Sequence, residues 1–193
     1  MSRERTPICL PVCVLGLAGA ILTPGVHAAT VISEALYDAA GSDNGNVFVE
    51  LYGTPGAALD GLSLEGVNGS DGSVYLTLPL SGVIPGDGVF VVADDAGDGS
   101  SLVGNADLVV NMDFQNGPDS IVLRDADGIL DALGYGDFSG GVFAGEGGAA
   151  PDAPAGSSLA RLDPLADSGS SFASGTAGRM LASFRPFDAV TAC

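Results

Sequence analysis

Short apolar runs separated by turn-forming residues recur along most of this chain, and their spacing most narrows the possible folds. In residues 47–52, Val47, Val49 and Leu51 occupy alternate positions, which is the two-residue period of a strand with one buried face. Such runs return roughly every 8–14 residues, with Gly, Asn, Asp and Pro between them, and this spacing is typical of sandwiches and barrels. No stretch shows a sustained helical period with caps. The sequence therefore predicts an all-β fold, a predominantly antiparallel two-sheet β-sandwich.

The strands and the core can be assigned from the same pattern. The predicted strands are residues 31–37, 47–52, 59–64, 74–78, 88–93, 108–112, 120–124, 129–135 and 158–162. Residues 88–93 are almost continuously apolar, which predicts burial on both faces. The side chains predicted to lie inside are Phe48, either Leu51 or Val49, Leu64, Val91, Val122 and Leu133.

The first 28 residues have the organisation of a cleaved secretory signal. A basic segment at 2–5 precedes an apolar segment at 8–22, and Val26 and Ala28 are small residues at the positions that signal peptidase requires. A membrane anchor needs about 20 uninterrupted apolar residues, more than this stretch offers. We therefore predict a secreted or periplasmic protein that is not inserted in a membrane after signal cleavage. The predicted units are a signal at 1–28, a domain at 29–165 and a poorly ordered tail at 166–193, because Ser and Gly are frequent beyond residue 167.

Signal cleavage would remove the side chains on which most catalysis depends. It takes away His27, the only histidine, together with Cys9 and Cys13, and the chain has no lysine. Cys193 alone cannot form an intramolecular disulfide, and Cys/His zinc sites and Ser-His or Cys-His catalysis lack their groups. The net charge of −18 argues against nucleic acid as a partner, because phosphates would be repelled. The sequence predicts a protein that is not an enzyme.

Calcium is the one cofactor for which the sequence offers ligands. Asp125, Asp127 and Asp131 are closely spaced carboxylates, and calcium prefers such oxygen ligands. The spacing lacks the full ligand pattern of an EF-hand loop. The alternative interpretation is that the Asp-Gly pairs simply form turns, and the sequence favours this alternative.

Several short motifs, taken in order, carry a family resemblance. The first two are Ile-Ser-Glu at 32–34 and Phe-Val-Glu-Leu at 48–51. Four more motifs follow. The first is at 59–64, and the second combines 84–86 with 90–92. The third combines 119–123 with 127–128, 131 and 135–136, and the last is at 156–161. Together they resemble the bacterial lamin-tail domain, an immunoglobulin-like antiparallel β-sandwich. The chain departs from that family at 176–178 and in the tail that follows.

The resemblance implies a function without catalytic residues. Lamin-tail domains are accessory modules of secreted proteins, so we expect a non-catalytic module that binds protein or glycan at the cell exterior. The alternative from another class is a calcium-dependent adhesive or structural envelope protein.

One ion pair is predicted from Glu50, which lies in the middle of an apolar strand. A carboxylate there must face water or find a partner. The resemblance places Glu34 beside it on a neighbouring strand, where two like charges would repel. We therefore predict that Arg161, in the last motif, forms a salt bridge with Glu34 or Glu50. Glycoside chemistry by the two carboxylates is the less favoured interpretation.

Overall fold

The computed structural model describes residues 30–144, 148–161 and 180–181. Within these residues there are ten strands and no helix. The described part of the chain therefore contains no helix that is long and apolar enough to cross a membrane. The strands are β1 (Val31–Leu36), β2 (Phe48–Tyr52), β3 (Ser63–Asn68), β4 (Val74–Pro79), β5 (Val89–Asp94), β6 (Leu108–Val110), β7 (Asp119–Arg124), β8 (Ile129–Tyr135), β9 (Leu159–Arg161) and β10 (Met180–Leu181). The predicted signal and, apart from β10, the predicted tail fall outside the described residues.

Two sheets form the sandwich that the alternating runs predicted. One sheet has six strands in the order β10-β9-β1-β2-β5-β6, and the other has four in the order β4-β3-β7-β8. Every paired strand is antiparallel except β6, which runs parallel to β5. The prediction of an all-β, predominantly antiparallel sandwich is confirmed.

The main core lies between the two sheets and contains four of the residues predicted there. Val49, Leu51, Leu64 and Leu133 are fully buried within it. The prediction for Val91 is wrong: its neighbour Val92 enters the core, and Val91 is only partly buried on the other face of the sheet. Two other predicted core residues are buried elsewhere, Phe48 in a small cluster with Leu36 and Ala93, and Val122 in one with Val67 and Ala132. In each strand, period-two alternation puts these residues on the face opposite the main core.

A β-bulge in β1 decides which of its residues face the core. Ile32 pairs with Leu51 and Glu34 pairs with Glu50, so Ser33 is the extra residue. Ile32 and Ala35 are three residues apart, and regular alternation would place them on opposite faces. The bulge allows both to be buried while Glu34 stays on the outer face.

The third strand begins later than the apolar pattern predicts. We expected a strand at 59–64, but β3 starts at Ser63. Leu59 and Leu62 are buried nonetheless, because the backbone between them forms a turn in which Leu62 N donates to Leu59 O at 3.0 Å. Gly61 adopts a φ of 89° in this turn, which glycine reaches at little cost.

Candidate functional site

The two predicted carboxylates, Glu34 and Glu50, lie side by side on the outer face of the six-stranded sheet. They are directly opposite each other across β1 and β2, and both are half-buried. The Ser158 hydroxyl donates a hydrogen bond to Glu34 Oε1. Ser33 Oγ lies 2.7 Å from Glu50 Oε1 and donates to it from the bulge. Each carboxylate is therefore bound by a serine, Glu50 by Ser33 within β1 and Glu34 by Ser158 just before β9.

Arg161 connects the two sheets. Its Nη2 lies 2.6 Å from Asp131 Oδ1, and its Nε donates to Ile32 O at 2.7 Å. Asp131 Oδ2 accepts the Ile32 N–H at 2.7 Å. The Arg161 and Asp131 side chains are only 9% and 4% exposed. One buried carboxylate on β8 is thus tied to β1 and β9 of the opposite sheet.

Asp131 is a partner of Arg161 that the sequence analysis did not name. The signal was present, because Asp131 lies within the apolar run 129–135, as Glu50 lies within its own. The argument that a carboxylate in an apolar strand needs a partner applies to both. The predicted salt bridges of Arg161 with Glu34 or Glu50 stay predictions.

The three predicted calcium ligands are not brought together. Asp131 points into the buried space between the sheets, where it meets Arg161. Asp125 Oδ1 instead accepts the backbone N–H groups of Asp127 and Gly128 at 2.8 and 2.9 Å, and Asp127 is exposed. In the part of the chain that the structure describes, no group of three His, Cys, Asp or Glu side chains could hold a metal ion. The structure therefore gives the calcium assignment no support, because Asp131 is paired with Arg161 and Asp125 caps its own turn, and the assignment stays a prediction.

In the acidic loop that follows β5, at residues 95–100, aspartate side chains also accept hydrogen bonds from the backbone of their own turn. Asp95 Oδ1 accepts three backbone N–H groups, from Gly97, Asp98 and Gly99. Asp98 Oδ1 accepts from the N–H and the hydroxyl of Ser100, and these bonds lower the Asp98 pKa. The oxygens are directed onto their own backbone. This is the Asp-Gly turn chemistry that was the alternative to calcium binding.

Two buried aspartates hold loops onto the sheets, a role that the sequence analysis assigned to neither of them. Asp94 Oδ2 accepts the Gly45 N–H and its Oδ1 accepts the Met112 N–H, both at 2.7 Å. Asp119 Oδ1 accepts the Gly69 N–H at 2.8 Å. Both residues are less than 5% exposed. The only signal for this role in the sequence was position: Asp94 ends β5 and Asp119 begins β7. Each binds the glycine N–H of an Asn-Gly turn that is distant in the sequence.

Tyr37, Tyr75 and Tyr135 lie near one another, and Asp119 is close to Tyr75 and Tyr135. The rings of Tyr37 and Tyr135 stack with centroids 3.9 Å apart. The Tyr135 hydroxyl donates to Gln115 O at 2.6 Å, and the Tyr75 hydroxyl accepts the Gln115 N–H at 3.1 Å. Burial, with the Asp119 charge, raises the pKa of Tyr75 to about 12. The phenols therefore remain neutral hydrogen-bonding groups across the physiological range.

Strand β4 is the longest uncovered sheet edge in the described residues. It has β3 on one side, and no described strand or bridge pairs with its other side. The opposite edge of that sheet, β8, is partly covered by Ala150, which exchanges backbone hydrogen bonds with Gly134 and Gly136. Residues 72–86, which include β4, contain no charged residue in a chain of net charge −18. Val74, at the start of β4, is 49% exposed.

The backbone groups of Thr77 point away from the sheet. Leu80 N donates to Leu62 O, so the register makes the pairs Leu64–Leu78 and Gly66–Leu76 the hydrogen-bonded ones. Residues alternate in this respect along an antiparallel strand. Thr77 therefore directs its N–H and C=O outward at the middle of the edge.

Comparisons of the chain with known protein families, with curated proteins and with solved structures find no match. The resemblance to the lamin-tail domain therefore rests on the motifs described above.

Proposed function

We propose that this chain is an exported, non-catalytic module of the lamin-tail type that binds another protein at the cell exterior. The observation that carries the proposal is the uncovered edge of β4. The acidic side chains of the domain serve mainly as turn caps and as the Asp131–Arg161 tie. The outer edge of β4, in contrast, presents backbone N–H and C=O groups that no described strand pairs with.

Strand addition is the binding mode that this edge supports. Natural proteins usually protect an edge with charges, proline, a bulge or a covering segment, because an open edge pairs with other chains. Among the described residues, β4 has Pro79 at its far end and a bulge near Val67 in its pairing with β3, but it has no charged residue and no strand paired with its outer side. The four residues between Val74 and Pro79 are Tyr, Leu, Thr and Leu, which favour extended structure. An added strand would bond to Thr77 through its main chain.

The edge favours a protein over a glycan as the ligand. A ladder of main-chain donors and acceptors is complementary to another extended polypeptide. The strongly acidic body repels acidic segments, and the charge-free run 72–86 reduces that repulsion locally. The partner segment we expect is extended and uncharged or basic.

The calcium-dependent alternative lacks such support. Its best ligand, Asp131, is bound to Arg161 and to the Ile32 N–H. Asp125 caps its own turn.

Selection from a phage-displayed random-peptide library against the domain would test the proposal. Peptides that bind through β4 should shift the Thr77 amide resonance and slow its hydrogen exchange. They should lose affinity for Thr77→Pro, which removes an outward N–H, and for Val74→Lys. Leu102→Lys is the matched control, because Leu102 is 66% exposed in a loop away from this edge. Binding that survives both β4 variants, or a library that yields no binder, would refute strand addition.

A further inference from the structure

The chain contains three Asn-Gly pairs in its described part, at 44–45, 68–69 and 116–117. This dipeptide is the most prone to spontaneous deamidation. The glycine backbone nitrogen loses its proton and attacks the asparagine Cγ, ammonia leaves, and a succinimide ring forms. Water then opens the ring to aspartate or isoaspartate. The reaction needs a glycine N–H that is accessible and a backbone that can rotate toward the side chain, and the absence of a glycine Cβ helps both.

Two of the three pairs are held so that this attack is blocked. The Gly45 N–H is bound by Asp94 Oδ2 and the Gly69 N–H by Asp119 Oδ1. A nearby carboxylate stabilises the N–H and opposes its deprotonation. The same bonds direct each N–H toward a buried oxygen and away from the preceding asparagine.

The asparagine side chains and the surrounding backbone of these pairs are also held. Asn44 Nδ2 donates to Ala96 O at 2.9 Å, and Asn68 Oδ1 accepts the N–H and the hydroxyl of Ser70 at 2.8 and 2.6 Å. A Cβ at Gly69 would lie only 1.9 Å from Pro118 O, so this backbone is tightly packed. Rotation into the ring-closing geometry would break these contacts.

The third pair differs in its exposure and its hydrogen bonds. Its backbone is packed as well, because a Cβ at Gly117 would lie 3.0 Å from the Tyr135 ring, but less tightly than at Gly69. Asn116 and Gly117 are both exposed. Across residues 30–144 and 148–161, no hydrogen bond is found for Gly117 N or for the Asn116 side chain. No described hydrogen bond therefore competes with ring closure at this pair.

We propose that Asn116 is the site of spontaneous deamidation in this protein, and that Asp94 and Asp119 protect Asn44 and Asn68. The product carries a new negative charge between Gln115 and Asp119. Isoaspartate also adds a methylene group to the backbone next to Gln115, whose N–H and C=O bind Tyr75 and Tyr135. Modification therefore disturbs the loop that holds these two phenols.

Peptide mapping by mass spectrometry after incubation of the folded protein in mildly alkaline buffer tests the proposal. The peptide with Asn116 should gain the amide-to-acid mass difference and yield isoaspartate, while the other two peptides keep their amides. In concentrated urea the three pairs should convert at similar rates, because each asparagine precedes glycine. If Asn44 or Asn68 converts as fast as Asn116 in the folded protein, the proposal is overturned. It also fails if Asn116 persists when folded but converts in urea.

Two variants assign the protective role. Asp119→Ala should allow Asn68 to convert in protein that circular dichroism shows to be folded. Asn116→Gln is the control, which should abolish the conversion at 116 and leave the other two peptides unchanged. A folded Asp119→Ala protein in which Asn68 stays intact would contradict protection by Asp119. Should Asp119→Ala fail to fold, the map of the unmodified protein still decides the proposal.

Discussion

Replacing Arg161 with alanine should destabilise the domain far more than an ordinary surface substitution. The Arg161 and Asp131 side chains are 9% and 4% exposed, which places the pair in the buried class. Removal of one partner from a buried pair costs about 3–5 kcal/mol, because the remaining charge is left without compensation. Arg161→Ala also removes the bond from Nε to Ile32 O. We therefore expect a loss of at least about 3 kcal/mol in the free energy of unfolding.

Urea denaturation followed by circular dichroism measures this loss. With slopes of about 1–3 kcal/mol per molar urea, the midpoint should fall by about 1–3 M. Arg124→Ala is the matched control, because Arg124 forms a 3.2 Å pair with Glu65 but is 39% exposed. Because this pair is more accessible to solvent than Asp131–Arg161, although its Glu65 side chain is only 13% exposed, its loss should cost about 1 kcal/mol.

A double-mutant cycle isolates the Asp131–Arg161 interaction. Asp131→Asn keeps an oxygen for the Ile32 N–H but removes the charge, so the double variant should be more stable than additivity predicts. Equal losses for Arg161→Ala and Arg124→Ala, or additive effects in the cycle, would refute the assignment of a buried tie between the sheets.

Other predictions concern pH, packing and processing. The pKa of Tyr75 is raised from 10.0 to about 12, so its contribution to stability is complete below pH 10 and lost as the pH rises toward 12; absorbance titration should show phenolate formation together with unfolding. The Asp98 pKa is lowered by Ser100, so its contribution is present above the ordinary carboxyl pKa and lost as the pH falls; a carboxyl titration by NMR that gives an ordinary value would contradict this. Leu64→Ala, at a fully buried position, should cost about 2–5 kcal/mol in urea denaturation. Mass spectrometry of the exported protein should find Ala29 at the N-terminus, and an intact N-terminus in a membrane fraction would contradict cleavage.

Local pattern was sufficient for the strands and for much of the core. Alternation placed Val49 and Leu51 correctly, because a side chain's face in a regular strand depends only on its parity. The expectation that Glu34 and Glu50 lie side by side on neighbouring strands came from the motif resemblance and not from alternation, and the two residues are paired across β1 and β2. Regular alternation breaks at Ser33, where a bulge changes the parity, and between Leu59 and Leu62, where a turn stands in place of the predicted start of the strand. Neither the bulge nor the turn could be recognised from the order of apolar residues in the sequence.

The candidate sites depended on contacts between distant parts of the chain. The composition alone showed that histidine and lysine chemistry is absent after residue 28, because no folding can supply a missing side chain. The roles of the aspartates were decided by the tertiary structure. Asp131 and Arg161 are 30 residues apart, and Asp119 and Gly69 are 50 apart. The sequence identified carboxylates that needed partners, but only the packing of one sheet on the other determined which partner each could reach.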